Sequence, residues 1–444
     1  MRRTADRALH VIARLATLGW FRAVEAVGVH LVERDHPTLV VANHAGGFVD
    51  PALLTAVLPR VPRFLAMARL WRIWPIRPLL AFAGAIPVQR AQDGVTGRNV
   101  DAFVAAYRVL ADGGLVGIFP EGQASDESHL LPVKTGAARI ALGARAGGVR
   151  RIRIVPVGLI YERKQTARTR AYVRVGTPLD LDGWLGSDTP DAGDHATVER
   201  LTRAIEEGLG RAALDFEDAA QAHELGYAAA VYLRKPGGSP SWAPPLSAID
   251  RVAGALADAP RDAQRRVRDA VGSYRAALEV NDATDRQVAA GPRDATAPAR
   301  VAGGLLTVVA LPFALVGLVV NAVPALLVHL AGRRPAAPVT LATLKFLVGS
   351  VVFPATWLAW RYLVLDDATN PWLLTVAIGP VCGLVAAVVG DRLRRARLAR
   401  LRPSRLAVPG RAAEDLAERR SWLVEVVDET LGGRQGNLAG SLDD

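Results

Sequence analysis

Residues 39–51 read LVVANHAGGFVDP and carry the pattern of a strand, a tight turn and the start of a helix. An apolar run ends at His44, two glycines follow, and apolar residues resume on both sides of Asp50. In α/β folds the polar residues that follow a buried strand lie at the sheet edge where ligands bind. The stretch therefore predicts an α/β domain with a site at this edge.

The spacing of His44 and Asp50 defines what the turn must do. Six residues along a regular helix rotate by about 240°, so the two side chains could not face each other from one helix. A non-helical turn at Gly46 and Gly47 can fold His44 back over Asp50. The carboxylate would then accept from one ring nitrogen and leave the other free as a base.

Short apolar runs alternate with helical patterns as far as residue 181. The predicted strands lie within residues 37–44, 84–90, 114–122, 151–161 and 171–179, and the intervening helices include 97–111 and 135–146. Near-continuous apolar strands are typical of a sheet covered on both faces. The pattern predicts a central sheet flanked by helices, followed by a helical region and C-terminal membrane helices.

The composition changes along the chain and predicts five segments. They are an amphipathic membrane-surface helix at 1–36, an α/β domain at 37–181, a helical region with a Pro/Gly-rich linker at 182–300, a membrane region at 301–391, and a basic juxtamembrane and helical tail at 392–444. Residues 282–300 are polar and are predicted to form a loop. Residues 63–82 interleave Leu, Trp and Arg, which suits a helical, membrane-facing segment.

Three long apolar stretches, at 302–331, 340–365 and 371–390, approach the ~20 residues that a spanning helix needs. Half of all residues are hydrophobic and the net charge is +11, which favours a phospholipid surface or another anionic partner. Burial of these stretches in a large soluble core is the alternative. Three such runs in succession with so few charges are rare in soluble domains.

The charges that flank these stretches predict their topology. Arg333–Arg334 and the Arg-rich run at 392–405 belong inside, and Asp366–Asp367 belongs outside, so the second and third stretches form a hairpin. The first stretch would enter and leave on the cytoplasmic side as a re-entrant or interfacial helix pair, broken at Pro312, Asn321 and Pro324. We expect an inner-membrane protein with a cytoplasmic catalytic domain.

Two further strand ends carry polar residues. Glu121 and Gly122 follow the strand GLVGI at 114–118, and Arg90 closes the run GAIPVQR. Together with His44 and Asp50 they provide a base dyad, a polar clamp and an anion receptor. This set suits transfer of an acyl group to a hydroxyl of a phosphorylated substrate.

The sequence resembles the glycerolipid acyltransferase family, typified by lysophosphatidate and glycerol-3-phosphate acyltransferases. Four motifs carry the resemblance, in the family's order: Asn43-His44 with Asp50-Pro51; Gly84, Ile86 and Arg90; Phe119-Pro120-Glu121-Gly122 with Ser125, followed by Lys134 and Gly136; and Val155-Pro156-Val157-Gly158. The resemblance covers roughly residues 20–210.

The resemblance implies a membrane-bound O-acyltransferase in phospholipid synthesis. His44 would be the general base, and Asp50 would orient its imidazole. The expected substrate-binding residues are Asn43, Arg90, Glu121, Gly122, Ser125 and Lys134. The acceptor hydroxyl would attack the thioester of acyl-CoA or acyl carrier protein directly, with no cofactor and no metal, at the surface of membrane phospholipids.

Two departures from the family pattern bear on the acceptor. Five residues, in place of the usual four, separate His44 from Asp50, a variant that resembles glycerol-3-phosphate acyltransferases of the fungal type. The common Thr-Arg of the third motif is Gln123-Ala124, so Arg90 or Lys134 would compensate in holding phosphate. Glycerol-3-phosphate, lysophosphatidate and other lysophospholipids stay open as acceptors.

Other functions fit the sequence less well. Metal-dependent hydrolysis at His44, Asp50 and Glu121 lacks a further ligand at useful spacing, and no His-Glu-x-x-His motif is present. A non-catalytic lipid-binding scaffold that retains the fold is the alternative to an enzyme. No nucleic-acid recognition motif accompanies the basic run after residue 391. His129 is a further candidate for a substrate contact.

Overall fold

The computed structural model describes the chain apart from residues 1, 75, 90–98, 128, 187–192, 214–215, 217, 238–241, 291–296, 334–335, 401–409 and 433–444. Its contacts divide it into two compact units. The first comprises Met1–Asp215 with Val323–Ala355, and the second comprises Phe216–Ala322 with Thr356–Asp444.

The first unit contains the sheet that the sequence predicts. Its described strands are β1 Phe21–Val27, β2 Thr38–Ala42, β3 Arg63–Met67, β4 Ile86–Val88, β5 Leu115–Ile118, β6 Arg153–Tyr161, β7 Thr169–Val175 and β8 Leu179–Asp180. They follow the order β1-β7-β6-β2-β5-β3-β4, with β8 beside β6. All neighbours are parallel except the β6–β7 and β6–β8 pairs. The central strand β2 therefore ends, at Ala42, on the same edge as β5 and β6.

The described helices are numbered along the whole chain. They are α1 Arg2–Trp20, α2 Val49–Val57, α3 Arg77–Ala83, α4 Asn99–Ala111, α5 Gly136–Ala146, α6 Leu181–Leu185, α7 His195–Ala212, α8 Ala219–Tyr232, α9 Leu246–Ala257, α10 Arg261–Val280, α11 Asp285–Ala290, α12 Ala297–Ala331, α13 Pro338–Leu363, α14 Pro371–Val376, α15 Cys382–Arg400 and α16 Arg411–Thr430.

Helices cover both faces of the sheet, as the near-continuous apolar strands predict. Side chains of α4, α5 and α7 pack on one face of the sheet and form one core cluster. Side chains of α2, with Trp20 at the end of α1, form the second cluster on the opposite face. The predicted α/β fold is confirmed, and α2, which carries Asp50, lies on the second face.

The N-terminal prediction is partly wrong, because residues 21–27 form a strand and not a continuation of the helix. β1 pairs in parallel with β7. The apolar residues Phe21, Val24 and Val27 recur every three positions, which imitates a helix in the sequence. In α1 one face is buried and another exposes apolar side chains. The exposed ones are Val11, Ile12, Leu15 and Leu18. A membrane-surface role for α1 stays a prediction.

Residues 63–82 are also not helical throughout. They form β3, a 3-10 turn at Ala68–Arg72 and the short helix α3. Strand pairing with β5 on one side and β4 on the other selects the extended form of a segment whose composition suits a helix. The indole of Trp74 is highly exposed.

The first unit is larger than the predicted domain at 37–181. It takes in α1, β1 and α7, and it also takes in the beginning of α13, whose Ala342 is fully buried in the second core cluster. The end of α6 and helix α7 therefore belong to the α/β core, although the sequence groups them with the helical region that follows.

The second unit contains a bundle of α8, α9, α10, α11 and α16. Asp285 is buried in it and forms ion pairs with Arg234 and Arg420, and it accepts a hydrogen bond from Tyr274. Asp285 lies at the start of α11, and α12 begins at Ala297, so the predicted loop at 282–300 is wrong for residues 285–290 and 297–300. The predicted Pro/Gly-rich linker lies between α8 and α9 in the sequence, and its residues 238–241 lie outside the described residues.

Three described helical segments are long and apolar enough to cross a membrane: Leu306–Ala331, Pro338–Leu363 and Pro371–Arg394. The predicted helix pair is wrong, because α12 continues through Pro312 and Pro324. A proline removes one backbone donor, and neighbouring helices can compensate for that loss in apolar helices. The Asn321 amide in the middle of α12 donates to the carbonyls of Gly317 and Gly379, so α12 contacts the third apolar segment.

Candidate active site

The turn between β2 and α2 depends on its two glycines, one for its backbone conformation and one for the space that it leaves. Gly47 has a φ of +65°, a backbone conformation that favours glycine. A Cβ at Gly46 would lie 2.5 Å from Asp50 Oδ1, so only glycine leaves room for the carboxylate. Asp50 lies in the first turn of α2, and its side chain reaches back over the turn.

The turn brings His44 and Asp50 together as the sequence predicts. His44 Nδ1 lies 2.7 Å from Asp50 Oδ2. With the proton on Nδ1, the imidazole donates to the carboxylate and Nε2 carries a lone pair. Nε2 has no hydrogen-bond partner within the described part of the chain, and this is the state that a general base requires.

Asp50 is held by several donors in a site where its exposed fraction is 0%. The Gly46 N–H donates to both carboxylate oxygens at 2.9 Å, and the Tyr161 hydroxyl donates to Oδ1 at 2.5 Å. The N-terminal end of α2 adds a favourable dipole. These contacts compensate for the desolvation of a buried carboxylate.

The loop after β5 fixes the backbone of His44. The His44 N–H donates to Glu121 Oε1 at 2.7 Å, and its carbonyl accepts from the Ser125 N–H at 2.9 Å. The imidazole stacks on Phe119 with ring centroids 4.2 Å apart, and Phe119 stacks in turn on Phe64. Both the main chain and the ring plane of His44 are therefore held in place.

Glu121 has its two carboxylate oxygens engaged with the backbone. Oε1 accepts from His44 and Oε2 accepts from the Leu131 N–H at 3.3 Å. Burial raises the pKa of the Glu121 carboxyl above its usual range, although both N–H donors oppose this rise. Glu121 therefore braces the His44 turn, and a contact to the acceptor stays a prediction.

An open pocket lies beside His44, which is one of its lining residues. Asn43, Glu121 and Ser125 line it together with His129, for which the sequence predicts a substrate contact. In the described residues no group of three His, Cys, Asp or Glu side chains could hold a metal ion.

The other predicted binding residues have distinct environments. Asn43 pairs with the backbone of Leu159, donating to its carbonyl at 3.1 Å and accepting from its N–H at 2.7 Å, so its amide joins β2 to β6. Gly122 has a φ of +73°, and a Cβ there would lie 2.5 Å from Lys134 Nζ. Lys134 thus covers the glycine with an exposed ammonium group. Arg90 lies outside the described residues.

The start of α13 packs against the turn between β2 and α2, a contact that the sequence did not predict. Thr343 Oγ1 accepts from the Phe48 N–H at 3.3 Å, and the Val339 N–H donates to Asp126 at 3.0 Å. Lys345 donates to the carbonyl of Gln165 at 2.9 Å. The first turns of the second apolar helix therefore form a wall beside the site.

The sequence also missed Tyr161, although a signal for it was present. Side chains of β6 alternate, and Val155, Val157 and Leu159 pack in the cluster that holds α2. Tyr161 continues this alternation beyond the end of β2, on the face where Asp50 lies. No comparable pattern points to Thr343, since its partner is 295 positions away.

Comparison with known proteins identifies the family of the domain that contains this site. A statistical description of the Acyltransferase family matches residues 23–160, which span all four motifs. Residues 23–160 form an acyltransferase domain of the glycerolipid acyltransferase family. The match of this acyltransferase domain includes His44 and Asp50, which five residues separate.

Several relatives share this acyltransferase domain. Glycerol-3-phosphate O-acyltransferase 2 of Saccharomyces cerevisiae is 38% identical over 112 residues, which cover 25% of this chain and 15% of the relative. Lyso-ornithine lipid O-acyltransferase of Rhizobium meliloti is 31% identical over 192 residues, which cover 42% of this chain and 59% of the relative. Mouse 1-acyl-sn-glycerol-3-phosphate acyltransferase alpha is 29% identical over 201 residues, which cover 42% of this chain and 66% of the relative.

The aligned part thus spans between 15% and 66% of these relatives. Among solved structures, the 1-acyl-sn-glycerophosphate (LPA) acyltransferase PlsC from Thermotoga maritima aligns with a TM-score of 0.35 and 20% identity. That alignment covers 46% of this chain and 80% of the other.

Proposed function

We propose that the protein is a membrane-bound O-acyltransferase that moves a fatty acyl group from an acyl thioester to a hydroxyl of glycerol-3-phosphate or of a lysolipid. The observation that carries this proposal is the His44–Asp50 pair, 2.7 Å apart, beside an open pocket at the carboxyl end of β2. The family of the domain and the three apolar helical segments support it.

The geometry supports a direct transfer. His44 Nε2 takes the proton of the acceptor hydroxyl while the hydroxyl oxygen attacks the thioester carbonyl. The tetrahedral intermediate then expels the thiolate of coenzyme A or of acyl carrier protein, and the imidazolium returns the proton to that sulfur. The buried Asp50 carboxylate stabilises the imidazolium between these steps, and no covalent enzyme intermediate forms.

The acceptor is selected in the pocket beside His44. Two yeast relatives are named for glycerol-3-phosphate, the bacterial relative for a lyso-ornithine lipid and the mammalian ones for 1-acylglycerol-3-phosphate. The five-residue spacing of the dyad favours glycerol-3-phosphate, and the exposed ammonium of Lys134 beside Gly122 offers a contact for its phosphate. We place the domain on the cytoplasmic side of the inner membrane, where acyl-CoA and acyl carrier protein are present.

The test uses purified full-length protein with labelled acyl-CoA or acyl carrier protein and a panel of acceptors. The panel holds glycerol-3-phosphate, lysophosphatidate, other lysophospholipids and lyso-ornithine lipid. We expect one acceptor to be acylated, and His44→Ala to lower the rate by ~10²–10⁴-fold. His195→Ala is the matched control, because this histidine is largely exposed on α7.

Two results would contradict the proposal. Absence of turnover with every donor and acceptor would contradict the proposed acyltransferase activity. Turnover at the wild-type rate in His44→Ala would contradict the role of His44 as the general base. An intact biological activity in cells carrying His44→Ala would favour a lipid-binding scaffold instead.

A further inference from the structure

Tyr161 joins the catalytic dyad to the sheet. It is the last residue of β6, its hydroxyl donates to Asp50 Oδ1 at 2.5 Å, and its ring stacks on Phe21 with centroids 5.8 Å apart. The family motif in this strand is Val-Pro-Val-Gly, and Tyr161 lies three residues beyond it. Its contact with Asp50 is therefore a separate feature of the site.

The donors to Asp50 come from two different places. His44 and Gly46 belong to the same turn as Asp50, so they move together with it. Within the described residues, Tyr161 is the donor that reaches the carboxylate from another element. It fixes Oδ1 relative to the sheet, and this leaves Oδ2 directed at His44 Nδ1.

We propose that Tyr161 is a positioning residue for the acyl transfer. It holds the Asp50 carboxylate in the orientation that keeps the His44 imidazole in its basic tautomer, with Nε2 presented to the acceptor hydroxyl. This role rests on the proposed acyltransferase function. Tyr161 itself neither gives up nor accepts a proton in the reaction.

The environment keeps the phenol protonated. Burial, and after it the adjacent charge of Asp50, raise the pKa of Tyr161 well above its usual range. The hydroxyl therefore remains a donor at every pH at which the dyad works. A deprotonated phenol would repel Asp50 and could not hold it.

Loss of this donor has a defined effect on pH dependence. The O–H group withdraws part of the carboxylate's charge, so without it more negative charge faces His44 and the imidazolium is stabilised. Activity requires neutral His44. The pH below which activity falls therefore moves to a higher value. The substitution leaves the other titratable groups near the pocket in place, namely Glu121, Glu127, His129, Lys134 and Lys164.

The test is Tyr161→Phe in the purified full-length protein, which keeps the ring and removes the hydroxyl. Hydrogen bonds to charged groups contribute about 1.5–3 kcal/mol, so we expect kcat to fall roughly ten- to hundredfold with KM little changed. We also expect the acid limb of the pH–rate profile to move to higher pH. Tyr107→Phe is the matched control, because its half-buried hydroxyl donates to the carbonyl of Arg139, away from the dyad.

A second measurement does not depend on turnover. Diethyl pyrocarbonate modifies neutral imidazoles, and peptide mass spectrometry gives the rate at His44 alone as a function of pH. We expect the pH at which His44 is modified at half its maximal rate to be higher in Tyr161→Phe than in wild type. In Tyr107→Phe this midpoint should stay unchanged. If wild-type protein acylates no acceptor, the proposed function fails, and these midpoints still decide whether Tyr161 controls His44.

Two outcomes would overturn the role of Tyr161. One is a Tyr161→Phe protein with wild-type kcat and an unchanged midpoint. The other is a fall in kcat that accompanies a lower melting temperature while the pH–rate profile and the modification midpoint stay unchanged, since a merely structural residue behaves in that way.

Discussion

At the scale of single residues, the Gly46-Gly47 turn explains how a dyad with an off-phase spacing can close. Gly46 supplies the N–H that binds both oxygens of Asp50, and Gly47 supplies a left-handed backbone conformation. A histidine in the loop after β2, six positions before its carboxylate, thus reaches it at 2.7 Å. The extra residue of this variant is accommodated in the turn and leaves the dyad intact.

Gly46→Ala tests this explanation. The new Cβ would lie 2.5 Å from Asp50 Oδ1 and about 3 Å from the Tyr161 ring, so the carboxylate must move. A displacement of about 1 Å can cost ~10²-fold in rate, and we expect a loss of that order in kcat/KM. The control is Gly226→Ala on α8, where a Cβ meets nothing within 4 Å. Normal turnover by Gly46→Ala would show that the close fit is unnecessary.

At the scale of elements, the turn between β2 and α2 lies between the sheet and the first turns of α13. Ala342 has an exposed fraction of 0% and packs in the same cluster as Val49 and Leu53 of α2. Phe346 adds an edge contact to Trp20 with ring centroids 5.7 Å apart. A helix that is apolar enough to span a bilayer therefore also forms part of the α/β core.

Ala342→Leu tests whether this packing matters for catalysis. Added methyl groups in a filled core force neighbours apart, and we expect them to push α13 away from Phe48 and to lower kcat/KM by about tenfold. Ser350→Leu, at an exposed position of the same helix, should leave kcat/KM near the wild-type value. Equal activity of both variants would contradict a contribution of α13 to the site.

At the scale of the whole molecule, the bundle of the second unit constrains the membrane topology. Helices α8, α10 and α11 precede the apolar segments and α16 follows them, yet they pack together. Both ends of the apolar region therefore emerge on one side of a bilayer, which requires an even number of crossings. The flanking charges favour a hairpin of α13 with α14–α15, so we expect α12 to enter and leave the bilayer on the side of the basic loops.

Single cysteines test this arrangement in a Cys382→Ala background, since the chain has one native cysteine. In intact cells an impermeant thiol reagent should label Thr369→Cys, in the turn between α13 and α14, and should not label Ala336→Cys, before α13. Permeabilised cells, in which both positions should react, provide the control. Labelling of Ala336→Cys from outside would contradict the topology.

Sequence patterns predicted the parts of the fold that depend on residues close together in the sequence. The buried strands β2, β5 and β6 are apolar runs bounded by turn residues, and the contact between His44 and Asp50 follows from a turn six residues long. The strands β1 and β3 were missed because their pairing partners are remote in sequence and their composition suits helices. Helix propensity is a weak preference that such tertiary pairing overrides.

The supporting contacts of the site were less predictable for the same reason. Tyr161 meets Asp50 across 111 positions, and Thr343 meets Phe48 across 295. Asn43 and Glu121 were predicted to bind substrate, whereas the structure shows their polar groups bound to the backbones of Leu159, His44 and Leu131. The motifs thus predicted where the His44–Asp50 pair lies. The three-dimensional structure shows which residues hold that pair in position.

The most direct test of the central claim, that His44 and Asp50 act as one catalytic unit, is a double-mutant cycle. It measures kcat/KM for wild type, His44→Ala, Asp50→Asn and the double variant with the preferred acceptor. Residues that act together lose their effect together, so we expect the double variant to be no slower than His44→Ala alone. If the two losses multiply in the double variant, His44 and Asp50 act independently and the proposed dyad is contradicted.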